Sequence, residues 1–188
     1  MNDGTNFPAK GPQADAGQDW TLRSAGIEDV DRLALVGAAT FLETYAGRLD
    51  GAAIVAHCQK EHAAATYAHY LNDGGSAWLV EAKAGGAPIG YALLAKADLP
   101  GSRPEGDLEL KRIYSFARFH GSGLGRALMD AAVEHARWAG AARLLLGVNK
   151  ENRRAIAFYR KQGFEPVAER RFQVGDAVYD DLVLGRPL

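Results

Sequence analysis

The stretch from Leu108 to Met129 constrains this chain more than any other. Leu108-Glu109-Leu110-Lys111-Arg112-Ile113-Tyr114 reads as an alternating strand, with Glu109 and Lys111 on the face opposite Leu108 and Leu110. His120-Gly121-Ser122-Gly123-Leu124-Gly125 follows as a glycine-rich turn. Residues 124–139 then carry helical spacing, with Leu128 and Ala131 on one face. Glycine accepts positive φ and lets the backbone approach a ligand closely. The free N–H groups at a helix start favour an anion. Strand, turn and helix together therefore predict a phosphate or pyrophosphate cradle, to which Arg126 could add charge. A Rossmann fingerprint needs G-x-G-x-x-G, but Gly121, Gly123 and Gly125 give G-x-G-x-G, and Asn149 stands where the acidic ribose partner belongs. A Walker A loop is absent. A tight turn without a ligand is the alternative.

Composition narrows the setting. The 188 residues are 47% hydrophobic and 24% charged, with a formal net charge of −1. That balance suits a globular domain and disfavours a dedicated nucleic-acid binder, which carries a basic excess. Cys58 is the only cysteine, so no internal disulfide framework can form. No apolar run approaches the roughly 20 residues of a membrane helix, and the first 18 residues lack the pattern of a signal peptide. The expectation is a cytoplasmic protein with no membrane association and no metal. His57, His62 and His69 share one helical region but lack the H-E-x-x-H order of a zinc protease.

Along the chain, residues 1–19 read as a disordered tail, since Phe7 is their only large apolar side chain. Residues 20–188 read as one domain. Trp20 to Arg23 predicts a strand, and Gly26 an N-cap to a helix that runs past Thr40. One or two helices lie between Asp50 and Leu71, and a hairpin between Ala77 and Leu94. After the glycine turn and its helix come a central strand at Leu144–Val148, a short helix from about Asn152 to Gln162, and two last strands, 171–174 and 178–184, around Gly175-Asp176.

The glycine turn resembles the coenzyme A signature [QR]-x-x-G-x-[GA] of the GCN5-related N-acetyltransferases (GNAT). Gly123 and Gly125 match its small positions, and His120 stands where the family has Gln or Arg. Asn152-Arg153-Arg154-Ala155-Ile156-Ala157-Phe158-Tyr159-Arg160-Lys161-Gln162-Gly163-Phe164 is similar to the family's N-x-x-A-x-x-F-Y-x-x-x-G-F segment. The segment Phe172 to Asp176, leading to Tyr179-Asp180-Asp181, resembles its closing hairpin. The likeness covers about residues 20–188 in the family's order. It implies a single α/β (α+β) domain whose mixed, mostly antiparallel sheet splays to hold acetyl-CoA.

The resemblance also implies roles. Acetyl transfer from acetyl-CoA to an amine needs a base, oxyanion donors and an acid. Glu109 is the expected base and Tyr159 the expected acid at the coenzyme A sulfur. Ile113 and Tyr114 would give backbone hydrogen bonds to the pantetheine arm. His120, Gly121, Ser122, Gly123, Leu124, Gly125 and Arg126 would hold the pyrophosphate, and Asn152 and Phe158 would complete the cofactor site. Phe41, Thr44 and Tyr45 fall where relatives line the acceptor pocket. The strand Leu110 to Tyr114 resembles that of members acting on polyamines and related small amines. Other readings are a protein N-terminus or lysine, an amino acid or an aminoglycoside as acceptor, or a catalytically silent acyl-CoA-binding module or sensor. A homodimer is compatible with the family.

Overall fold

The computed structural model describes residues 18–103, 105–174 and 177–188. Seven strands form one sheet: β1 (Trp20–Ala25), β2 (Ser76–Ala82), β3 (Pro88–Lys96), β4 (Asp107–Ser115), β5 (Arg143–Asn149), β6 (Glu165–Val174) and β7 (Ala177–Pro187). Their spatial order is β1-β2-β3-β4-β5-β7-β6. Neighbouring strands are antiparallel except β4 and β5, which run parallel. Among the described residues five α-helices flank the sheet: α1 (Val30–Tyr45), α2 (Gly51–Glu61), α3 (Ala64–Asn72), α4 (Leu124–Trp138) and α5 (Arg153–Lys161). This is the mixed, mostly antiparallel α/β architecture expected from the sequence.

The sheet buries both faces, for reasons visible in the spacing of its apolar residues. Trp78, Val80, Ala92, Leu94, Leu110, Leu144 and Leu146 point to one face. There they meet Leu124, Leu128, Met129, Ala132 and Ala136, a stripe at helical period on α4. Ala77, Leu79, Tyr91 and Leu93 point the other way, against Leu33 and Val36 of α1 and Tyr67 of α3. Each such leucine contributes roughly 1.5–3 kcal/mol by leaving water.

Two irregularities set up the site. The first is the parting of β4 and β5. They pair only at Asp107↔Arg143, Leu108↔Leu144 and Glu109↔Leu145. Beyond that, β5 continues beside β7 as far as Asn149↔Asp181, and β4 beside β3 as far as Ser115↔Gly90. The edge of β4 from Leu110 to Ser115 thus has no strand on its β5 side. The closed end is clamped by Arg143, whose Nε and Nη2 donate to Asp107 at 3.0 and 2.5 Å.

The second is a bulge in β4. Leu93 pairs with Arg112 but Leu94 pairs with Leu110, so Lys111 is an extra residue. Before it, Leu108 and Leu110 face α4 and Glu109 the other side, as strict alternation requires. After it, Ile113 packs on the α4 side, while Tyr114 packs with the α1–α3 core. Strict alternation would have placed Arg112 and Tyr114 on the Leu110 face.

Two further expectations are corrected. The last strand pair begins earlier than 171: β6 starts at Glu165, directly after α5, and includes Pro166. β6 is the sheet's edge, where proline costs no ladder hydrogen bond, and the register is irregular there. The glycine turn does not follow β4 directly, because a 3₁₀ turn, Ala117–Phe119, intervenes. The expected tail (apart from Gln18 and Asp19) and the Gly175-Asp176 turn lie outside the described residues. Among the described residues no helix is long and apolar enough to cross a membrane.

Candidate functional site: the cleft between two parting strands

The cleft opens where β4 and β5 separate, and its floor is the N-terminus of α4. Gly123 is the N-cap of α4 with φ 85°, in the left-handed region that a β-branched side chain does not tolerate. A Cβ added at Gly121 or Gly123 would meet nothing within 4 Å, so the backbone there borders open space. The first N–H groups of α4 have no partner within the helix. Phe158 of α5 lies beneath Gly125, whose added Cβ would sit 3.9 Å from its ring. The turn therefore presents main chain to open space, and a helix N-terminus of this kind has the dipole to hold an anion such as a pyrophosphate.

The side chains in this loop contribute less. His120 is exposed; its pKa is lowered, by partial burial first and then by Arg154, so it brings no fixed positive charge. Ser122 Oγ donates to the Phe119 carbonyl at 2.7 Å. Arg126 is exposed and lies 3.6 Å from Asp130, one turn on. Asn152 caps α5, its Oδ1 accepting from the Ala155 N–H at 3.1 Å.

Three phenols from distant elements approach one another. Tyr45, at the end of α1, interacts with Tyr114 of β4, and its charge would be felt by Tyr159 of α5. Asp181 and Tyr179 of β7 are also within its electrostatic reach. Burial raises the pKa of Tyr159 well above the ordinary phenol value, with Tyr45 adding to it, so Tyr159 stays protonated. Its ring packs edge-on to Phe158 and Phe164. Burial likewise raises Tyr45 and Tyr114.

Glu109 stands apart from the phenols, at the last position where β4 and β5 still pair. It is only 4% exposed. Its Oε2 accepts from Lys111 Nζ at 2.8 Å and from the Asp98 N–H at 3.2 Å. Burial raises its pKa, and Lys111 only partly offsets this. Lys111 also reaches Asp98 at 2.5 Å. Burial opposes the Lys111 charge, but hydrogen bonds to Asp98 and Glu109 prevail and raise its pKa.

The α1–α3 side forms an aromatic wall. Phe41 is buried, stacked on His57 with centroids 4.2 Å apart and tilted against Tyr45 at 4.5 Å. Thr44 spends its hydroxyl on its own helix, donating to Thr40 O at 2.7 Å. His62 Nδ1 lies 2.8 Å from Tyr67 Oη, which is 3.1 Å from Tyr91 Oη. This contact needs Gly37: an added Cβ would come within 2.1 Å of Tyr67 Oη and 2.5 Å of His62 Nδ1.

Sequence reasoning missed Arg112, Arg170 and Asp181 as members of this region. Arg112 is carried to this side by the bulge, and Arg170 pairs with the buried Asp181 at 3.3 Å across the β6–β7 ladder. Neither placement has a local signal. Among the described residues no group of three His, Cys, Asp or Glu could hold a metal ion.

Residues 48–164 match the model of the acetyltransferase (GNAT) family, and the chain belongs to it. An uncharacterized N-acetyltransferase of Mycobacterium tuberculosis is 34% identical over 162 residues, covering 86% of this chain and 99% of that protein. Among solved structures, the PaiA N-acetyltransferase from Thermoplasma acidophilum, in complex with coenzyme A, superposes with a TM-score of 0.72. It has 19% identity and covers 91% of this chain and 100% of its own. The yncA protein of Salmonella typhimurium, solved with its cofactor acetyl-CoA, gives 0.64 at 19% identity over 91% of this chain and 95% of its own. These neighbours share the fold; the family model and the mycobacterial relative establish an N-acetyltransferase of GNAT type.

Proposed function

We propose that this protein transfers the acetyl group of acetyl-CoA to the amine of a small molecule by direct attack. One observation carries the reading: β4 and β5 part directly beside a glycine-floored helix N-terminus. A pantetheine arm can there complete the free edge of β4, at Ile113 and Tyr114, as an added strand would. The pyrophosphate falls at the amides of residues 121–126, and the thioester at the Tyr114–Tyr159 end of the cleft.

The side chains divide the work. The attacking amine must lose a proton, and Glu109 is the carboxylate placed to take it through water, its affinity for the proton increased by burial. Backbone N–H groups at the β4 bulge can stabilise the oxyanion. Tyr159, held protonated, gives the departing thiolate a hydrogen bond. The phenol-lined wall with Phe41 and Tyr45 confines the acceptor and excludes water. A silent acyl-CoA-binding module would have the same cradle but no need for a buried carboxylate on the acceptor side.

The test is thiol release from acetyl-CoA over a panel of polyamines, amino acids and peptides, with product mass. Acetylated product from a small amine is the expected result. Coenzyme A binding without product from any amine would favour the silent module. Acetylation confined to peptides would move the acceptor to a protein.

A further inference from the structure

Arg112 is an expensive residue to keep where it is. The bulge places it on the α1–α3 side, two positions before Tyr114, in the part of β4 that β5 has left. Its side chain is only 10% exposed. The guanidinium lies over the rings of Tyr67 and Tyr70, at 5.1 and 5.8 Å. Nη2 donates to Glu61 Oε2 at 3.2 Å. The groups around it come from every neighbouring element: His57 and Glu61 of α2, His62 beyond it, Tyr67 and Tyr70 of α3, Tyr91 of β3 and Tyr114 of β4. Glu61 is the only carboxylate among them, and it is shared with Lys60 at 3.5 Å. The Tyr67 hydroxyl also interacts with the guanidinium, but its oxygen is shared with His62 and Tyr91.

Nη1 is buried and has no hydrogen-bond acceptor among the described residues. A charged donor left unpaired in a low dielectric is a standing cost, and such groups in native proteins call for a reason. Two rings and a carboxylate fix the plane of this guanidinium while one nitrogen is left without a partner. A planar guanidinium fixed in this way suits a carboxylate, which accepts charged hydrogen bonds in its plane.

We propose that Arg112 binds a carboxylate of the acceptor, so that the substrate is a small amine carrying an acid group close to the amine, as an amino acid does. This rests on the acetyl-transfer reading above and adds the acceptor's charge. The buried carboxylates on the same side of the sheet, Glu109 and Asp181, are paired with Lys111 and Arg170, so Arg112 is the group there that lacks a full set of acceptors. A polyamine would instead bring a second cation toward Arg112, which a low dielectric penalises. The polyamine-like acceptor suggested by the strand's resemblance therefore gives way to a zwitterionic one.

The experiment compares kcat/KM, with saturating acetyl-CoA and the full chain, for acceptors sharing one scaffold: an amino acid, its amide, its methyl ester, the amine lacking the carboxyl group, and a polyamine. The acid should be preferred over its amide by about 10- to 100-fold, the size of one charged hydrogen bond. Arg112→Lys should narrow that preference by about tenfold while coenzyme A still raises Tm. Equal or better use of the amide, the decarboxylated amine or the polyamine would overturn the assignment while leaving acetyl transfer intact. A loss in Arg112→Lys that is uniform across acceptors would make Arg112 a structural strut and overturn it too. Thiol release with none of the amines would overturn both readings. If Arg112 variants do not fold, the matched acceptors on the unaltered protein decide alone.

Discussion

The two walls of the cleft are built from different materials. The proposed cofactor wall is main chain: an N-cap glycine at φ 85°, open space over Gly121 and Gly123, and the amides of α4. The proposed acceptor wall is side chain: Glu109 with Lys111, Arg112 with its guanidinium over Tyr67 and Tyr70, and Tyr45 from the far end of α1. A wall of amides is written in a few consecutive residues and is indifferent to most of their side chains. A wall of buried charge is assembled across the sheet, and each member depends on a partner far away in sequence.

That contrast can be broken or sharpened by substitution. The largest effect belongs to the acceptor wall. Glu109→Gln should lower kcat/KM by about 10²-fold, the usual range for a proton-transfer group. A base must be deprotonated, so activity in the unaltered protein should fall as pH drops through the burial-raised pKa of Glu109, above the ordinary carboxylate value. A pH–rate profile should lose that acidic limb in the variant; a limb that persists would assign the base elsewhere. On the cofactor wall, Gly123→Val should weaken coenzyme A binding by about tenfold, since left-handed backbone costs a side chain roughly 1–2 kcal/mol. Calorimetry would measure it, and unchanged affinity would mean that the loop does not hold the cofactor.

Gly37→Ala sets two terms against each other. Alanine favours a helix interior by about 0.5–1 kcal/mol, but a Cβ at 2.1 Å from Tyr67 Oη overpacks the core, typically by about 1–3 kcal/mol. The clash should win, lowering stability by about 1 kcal/mol in denaturant melts. The smallest effect should come from His120→Gln, which restores the family's signature residue. Coenzyme A affinity should change by less than about threefold, because the contacts are main chain. A large gain would show that the side chain at 120 reaches the cofactor after all.

The same contrast explains what could be read in the sequence. The helices and most strands follow from local periodicity, and the cradle from Gly121, Gly123 and Gly125 in a row. The convergence of Tyr45, Tyr114 and Tyr159 needed the family's pattern, and their mutual approach needed the fold. Asp181 could not be placed because its position depends on β7 inserting between β5 and β6. The early start of β6 was hidden by Pro166, which reads as a break but is harmless on an edge. Arg112 was hidden by one extra residue at Lys111, which no periodicity reveals.

That extra residue behaves like a frameshift in a reading frame of two. The strand spells core side chains to α4 and site side chains to α1–α3, and the bulge resets which letters are read on which side. Deleting Lys111 would remove the bulge and leave Arg112 and Tyr114 on the side they already occupy, because Arg112 would then follow Leu110 in strict alternation. Drawing Lys111 into the ladder would do the opposite, sending Arg112 and Tyr114 toward α4 and Ile113 to the other face. In a strand of this kind, whether one residue is paired or bulged decides which side chains face which side, with no side chain changed.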